Sequence, residues 1–142
     1  MYHKVILAGY LGRDPEMRYT PDGTPVTNFS VATTEKWTGR DGQQQERTIW
    51  WRVTAWRRQA EICNQYLSKG RPVLVEGRMN ADSETGGPRV YTRNDGTSGA
   101  SYEVTAVTIT FLGGRGEAPG ADIPSDEEVQ PEADMEEDAI PF

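Results

Sequence analysis

A chain of short β-branched runs is interrupted once by a stretch of helical period. The place of that stretch constrains the fold more than any other feature. Across residues 57–68, Ala60, Ile62/Cys63 and Tyr66/Leu67 recur at the spacing of one helix face. Lys69 sits at the end, Gly70 supplies a C-terminal stop, and Pro72 keeps the helix from continuing. Three strand-like runs precede the helix. Residues 4–8 are apolar and end at Gly9 and Gly12; residues 26–34 place Thr27, Phe29, Val31 and Thr33 on one face; residues 48–56 form the third. Two runs follow, residues 73–79 and residues 102–112, the latter with Val107, Ile109 and Phe111 on one face. Asp14-Pro15 and residues 21–25 are turn punctuation, and residues 39–45 read as a polar hairpin tip. Residues 80–101 hold four glycines and read as a long loop, with a short ribbon near Val90 and Tyr91.

Five short strands with one helix after the third predict an all-β protein of the OB-fold type, a five-stranded, partly open Greek-key barrel that binds oligonucleotides. The barrel accounts for residues 1–112, one small domain with one core. Residues 113–142 are proline- and glycine-rich, acidic and poor in large apolar side chains, so they are expected to stay disordered.

Side chains alternate faces along a strand. In the third run the odd positions, Ile49, Trp51, Val53 and Ala55, make an apolar face suited to a core or a subunit contact. The even positions are Trp50, Arg52, Thr54 and Trp56. A core does not readily accept Arg52 there, because burying an unpaired charge is costly. A surface rarely shows two indoles without a use. Single-stranded nucleic acid supplies one, since every base has a π-face that an aromatic platform binds at roughly 1–3 kcal/mol per base. Trp50 and Trp56 lie about 20 Å apart on an extended strand, so they would stack different bases, with Arg52 between them to meet a phosphate. Trp56, at the strand end, equally suits packing under a loop. Trp37, beside Lys36 and Arg40, suits either a nucleic-acid surface or a loop anchor.

Charge is divided unevenly. Residues 1–112 carry fourteen Lys/Arg against twelve Asp/Glu, a net of +2; from Gly113 onward ten acids face Arg115 alone, a net of −9. A basic body with an acidic tail points to nucleic-acid work. The tail ends in an apolar tripeptide, Ile140-Pro141-Phe142, which a plain solubilising segment does not explain. These residues would fill a partner's pocket while Asp138 meets basic groups around it. Cys63 is the single cysteine and sits on the apolar helix face, a small core residue with no disulfide or zinc site to join. No apolar run is long enough for a membrane span, and no secretory signal opens the sequence, which suits a reducing cytoplasm.

Together these residues resemble the bacterial single-stranded DNA-binding protein (SSB) family. Residues 4–19 are similar to its opening strand and turn, Trp50-Trp51-Arg52-Val53 to its central strand, and Tyr66-Leu67-Ser68-Lys69-Gly70 with Val75-Glu76-Gly77 to its helix exit and fourth strand. Asp138-Ala139-Ile140-Pro141-Phe142 resembles its acidic tip, which docks on replication, recombination and repair proteins. The resemblance implies base stacking by Trp37, Trp50 and Trp56, and a DNA path over Lys4, Arg18, Arg52, Arg58 and Lys69. It implies partner binding through Asp138, Ile140, Pro141 and Phe142, a homotetramer around which single-stranded DNA wraps, and a nucleoid-associated place in the cytoplasm. It implies no cofactor, no metal and no catalysis. The stretch at residues 80–84 departs from the family pattern, being acidic and without tryptophan; Arg89, Tyr91 and Arg93 stand beside it as replacements.

Two other classes compete. An enzyme on an OB-fold would need a reacting cluster, but His3 is the single histidine and no acidic group in the body has metal-ligand spacing. An RNA-binding or restart adaptor without a wrapping role differs from the first reading in its preference between RNA and DNA.

Overall fold

The computed structural model of the protein describes residues 1–113; the segment beyond, with Asp138, Ile140, Pro141 and Phe142, lies outside the described residues. Seven strands and one helix follow in the order β1 (Val5–Leu11), β2 (Glu16–Tyr19), β3 (Pro25–Thr38), β4 (Gln44–Trp56), α1 (Arg58–Tyr66), β5 (Pro72–Met79), β6 (Arg89–Thr92) and β7 (Ser98–Phe111). Hydrogen bonding runs β1-β5-β7-β4-β3, and β3 returns to β1. Those five strands close a barrel, with β2 added on β3 and β6 on β7. The β4–β7 contact is parallel, from Trp51 opposite Tyr102 to Thr54 opposite Thr105, and the barrel's other contacts are antiparallel. The helix joins the third barrel strand to the fourth, so this is the OB-fold expected from the order of the runs.

The alternating residues fill the interior. Leu7, Phe29, Val31, Val53, Val73, Val75, Val104 and Ile109, from all five barrel strands, are buried in its interior. Each such side chain contributes about 1.5–3 kcal/mol by leaving water. The helix closes one end of the barrel with Ala60 and Cys63. Two side chains tie it down: Thr27 Oγ1 donates to the Ala60 carbonyl at 2.6 Å, and Gln59 Nε2 donates to the Val107 carbonyl at 2.7 Å. The helix stops earlier than expected, at a Leu67 cap whose amide donates to the Cys63 carbonyl; Gly70, with φ 85°, turns the chain beyond it, its amide donating to the Leu11 carbonyl. Burial pushes the Cys63 thiol up to about 12.

Three local expectations change. The first strand runs on to Leu11, because residues 9–11 still pair with β5 or β3. At Gly9 a Cβ would lie 2.2 Å from the Ala32 carbonyl oxygen, so glycine lets β1 pass from one neighbour to the other. Residues 16–19, a short polar piece between turn signals, form β2 by pairing with residues 25–28. Val107 does not share a face with Ile109. Glu76 opposes Thr108 and Gly77 opposes Ala106, so Val107 is the extra residue of a β-bulge, 59 % exposed, while Ala106 and Ile109 are buried. Period-two reading fails across a bulge because one inserted residue shifts the parity of all that follow.

Candidate nucleic-acid interface

Strand β4 keeps the predicted alternation. Val53 and Ala55 are fully buried and Ile49 and Trp51 partly so, whereas Trp50 and Trp56 are 56 % and 42 % exposed. The outer positions stand in ranks across the sheet. Trp50 is opposite Ala32, which is opposite Tyr10; Arg52 is opposite Ser30; Thr54 is opposite Asn28, which is opposite Glu16; Trp56 is opposite Val26, which is opposite Arg18. Paired residues share a face, so Trp50, Arg52, Trp56 and Arg18 are brought together on one side. Small residues between them, Ala32 and Ser30, leave the rings and guanidinium standing above the floor. Trp50 rests on Gly12, where a Cβ would meet the indole at 2.3 Å.

Beside this row runs a polar groove lined by Arg13, Glu16, Arg18, Arg52, Arg89 and Glu103, with Asn28 and Thr54 on its floor. Thr54 Oγ1 donates to Asn28 Oδ1 at 2.9 Å, which sets the floor's shape. Four arginines from four chain segments thus converge on one cleft. Two residues here escape a reading of the sequence. Arg13 and Glu103 lack any local signal, because the turn at Asp14-Pro15 and the parallel β4–β7 register decide where they arrive. Arg89, one of the loop cations, reaches the groove from β6.

The other predicted residues sit elsewhere. Trp37 is 44 % exposed, with the Arg47 guanidinium 5.6 Å from its ring centroid and Arg47 paired to Glu35 at 2.7 Å. Its register partner is Gln45, and it shares its pleat face with Glu35 and Thr33, opposite to that of Trp50. Lys4 is engaged by Glu76 at 2.5 Å, and that hydrogen bond raises its pKa. Arg58 and Lys69 are exposed on the first turn and at the exit of α1, and neither lines the arginine groove. The Lys69 amide donates to Asp14 Oδ1 at 2.8 Å, so the helix exit braces the turn between β1 and β2.

Trp51 faces the other way from Trp50. Its Nε1 donates to Thr33 Oγ1 at 2.9 Å and its ring lies 5.2 Å from that of Tyr102, tilted by 44°. Tyr102 then shares a second hollow with Trp50 and Arg47. In the β6–β7 ribbon, Arg93 sits 5.9 Å from the Tyr91 ring and donates to the Ser98 carbonyl at 2.7 Å, so both residues hold the ribbon's shape. Among the described residues no group of three His, Cys, Asp or Glu side chains is placed to hold a metal ion, and no helix is long and apolar enough to cross a membrane.

Fold and face together define an OB-fold binding module with indoles and guanidinium groups on one outer surface. Residues 2–112 match the single-strand binding protein family. The chain is 48% identical over 118 residues to the single-stranded DNA-binding protein of Neisseria meningitidis serogroup A, covering 83% of this chain and 64% of that one. A small single-stranded DNA-binding protein from Streptomyces coelicolor superposes with a TM-score of 0.63 at 26% identity, covering 78% of this chain and 94% of that one. A Plasmodium falciparum SSB in complex with single-stranded DNA superposes with a TM-score of 0.64 at 26% identity, covering 80% and 97%. The chain belongs to the single-strand binding protein family. It spans about two thirds of the length of the Neisseria relative, 64%.

Proposed function

We propose that the protein binds single-stranded DNA without regard to sequence and protects it during replication, recombination and repair. The observation that carries this reading is the row Trp50, Arg52 and Trp56, with Arg18, on one open face beside a groove of four arginines. Flat rings accept any base, and guanidinium groups meet the phosphates that every sequence shares. The binding set comprises Lys4, Arg18, Trp37, Trp50, Arg52, Trp56, Arg58 and Lys69, to which the groove adds Arg13 and Arg89. The relatives' names, which describe single-stranded DNA binding, agree with this reading.

The assembly in this reading is a homotetramer. Residues 5–9 of β1 hydrogen-bond to β5 on one side, while pairing to β3 begins only at Tyr10. Ile6 and Tyr10 are exposed beside that free edge, which invites a strand from a second copy. Residues 138–142 recruit replication and repair proteins through Asp138, Ile140, Pro141 and Phe142, and the protein works in the cytoplasm with the nucleoid. Titration of tryptophan fluorescence with poly(dT) at several salt concentrations tests the central claim. Saturable quenching that weakens with salt is expected; absent quenching, or equal affinity for poly(rU), overturns it.

A further inference from the structure

The arginine groove contains a carboxylate that phosphate binding does not call for. Glu103 lies directly across the parallel β4–β7 pair from Arg52 and is only 8 % exposed. Its Oε1 is 3.8 Å from an Arg52 guanidinium nitrogen, and its Oε2 is 3.8 Å from one of Arg89. Ser101 Oγ donates to Oε1 at 2.8 Å. A carboxylate buried this deeply needs cationic partners. Here the partners are the outward-facing arginine of β4 and the arginine that β6 brings to the same cleft. Both arginine side chains are more than half exposed while that of Glu103 is almost wholly buried.

We propose that Glu103 is a fixed surrogate for a DNA phosphate: it positions Arg52 and Arg89 on two sides of one groove and competes with the incoming backbone for them. The inference rests on the single-stranded DNA reading above. The two arginines and Glu103 together carry a net charge of +1, where the arginines alone would carry +2. A phosphate arriving between them takes over the arginines from Glu103, which stays in place beneath them. Binding at this point exchanges one ion pair for another, so fewer counterions are released than two free arginines would release. The strand is therefore held at a pre-shaped site, yet with a weaker grip at low salt than the count of arginines suggests.

The test compares wild type with Glu103→Gln, which keeps the side-chain shape and a hydrogen-bond acceptor for Ser101 but removes the charge. Oligo(dT) affinity is read by tryptophan quenching from low to high salt on the full chain. Glu103→Gln is expected to bind more tightly at low salt, with a logarithmic salt slope steeper by roughly 0.7, about fivefold in affinity over a tenfold range of salt. The two curves should converge at high salt. In an Arg52→Gln, Arg89→Gln background the gain should vanish, because Glu103 acts through those two groups. An unchanged slope, weaker binding at all salts, or a gain that persists without the two arginines would overturn the proposal. Should Glu103→Gln fail to fold by circular dichroism, Glu103→Met serves: it also removes the charge at similar side-chain length, and an unchanged slope there overturns the proposal equally. Absence of quenching in wild type would overturn the single-stranded DNA reading along with this one, whereas wild-type binding with no effect of the substitution overturns this one alone.

Discussion

The Trp50 indole rests on Gly12 and stands free of the sheet, while the neighbouring Trp51 turns its Nε1 to Thr33 and its ring to Tyr102. Adjacent residues of the same type therefore have separable effects. Trp50→Ala is expected to weaken oligo(dT) binding by roughly 1–3 kcal/mol with little change in melting temperature. Trp51→Ala is expected to lower stability by up to about 3 kcal/mol through lost packing and its hydrogen bond, with a smaller effect on DNA contact. Fluorescence titration and thermal melts of the two variants check both halves; a Trp50→Ala protein that binds as wild type would remove the stacking assignment. Cys63 supplies a second test. Its thiol, held at about 12 by burial, keeps its proton in the folded state above the ordinary value of about 8.5. Between these values the unfolded chain binds fewer protons than the folded one, so stability falls as pH rises. Urea midpoints should decline from pH 9 upward, and this decline should be shallower in Cys63→Ala. Thiol reagents should react at neutral pH only when the protein is unfolded.

At the scale of elements, closure of the barrel depends on β1 changing partners at Gly9 and on β5 tolerating the bulge opposite Gly77. A Cβ at either glycine would lie 2.2 Å from a carbonyl oxygen, of Ala32 or of Thr105. Gly9→Ala is expected to open the β1–β3 seam and cost several kcal/mol, on the order of other overpacked sites at about 1–3 kcal/mol or more. Faster amide exchange than in wild type at Gly12, whose amide donates to the Ser30 carbonyl across this seam, would report it, and unchanged exchange would show that the seam tolerates a side chain. The bulge also explains what the sequence conveys and what it hides. Alternation in β3 and β4 is legible because both strands are regular from Val26 opposite Trp56 to Thr38 opposite Gln44. Alternation in β7 misleads at Val107 because an inserted residue leaves no mark on local composition. Gln59, whose amide meets the Val107 carbonyl, is equally silent, since its role comes from a contact 48 positions away.

Taken as a whole, the molecule joins a +2 body to a −9 segment. The outward-facing indoles and Arg52 were legible because alternation along β4 is regular and two exposed tryptophans flanking an arginine stand out from an ordinary surface. The groove was not, because Arg13, Arg18, Arg52 and Arg89 meet only after β2 pairs with β3 and β6 folds onto β7. Tethered acids compete for such a groove at high effective concentration. Deleting residues 113–142 is therefore expected to tighten DNA binding at low salt, with the gain shrinking as salt screens it. Deleting Ile140, Pro141 and Phe142 alone should leave DNA affinity nearly unchanged and abolish pull-down of replication and repair proteins. Retention of those partners would return the segment to a solubilising role. Light scattering at micromolar concentration should give the mass of four chains, and a monomer's mass would refute the self-pairing of β1.

Trp50 and Trp56 are mounted on a single strand that is paired with β3 along its whole length and with β7 between them, from Trp51 to Thr54. A strand clamped in this way has no slack. Its two indoles work as marks on a ruler, about 20 Å apart by strand geometry, whose spacing does not stretch unless the barrel breaks. On the proposed single-stranded DNA reading, bases stacked on both marks must match that interval, so the DNA and not the barrel adjusts its spacing.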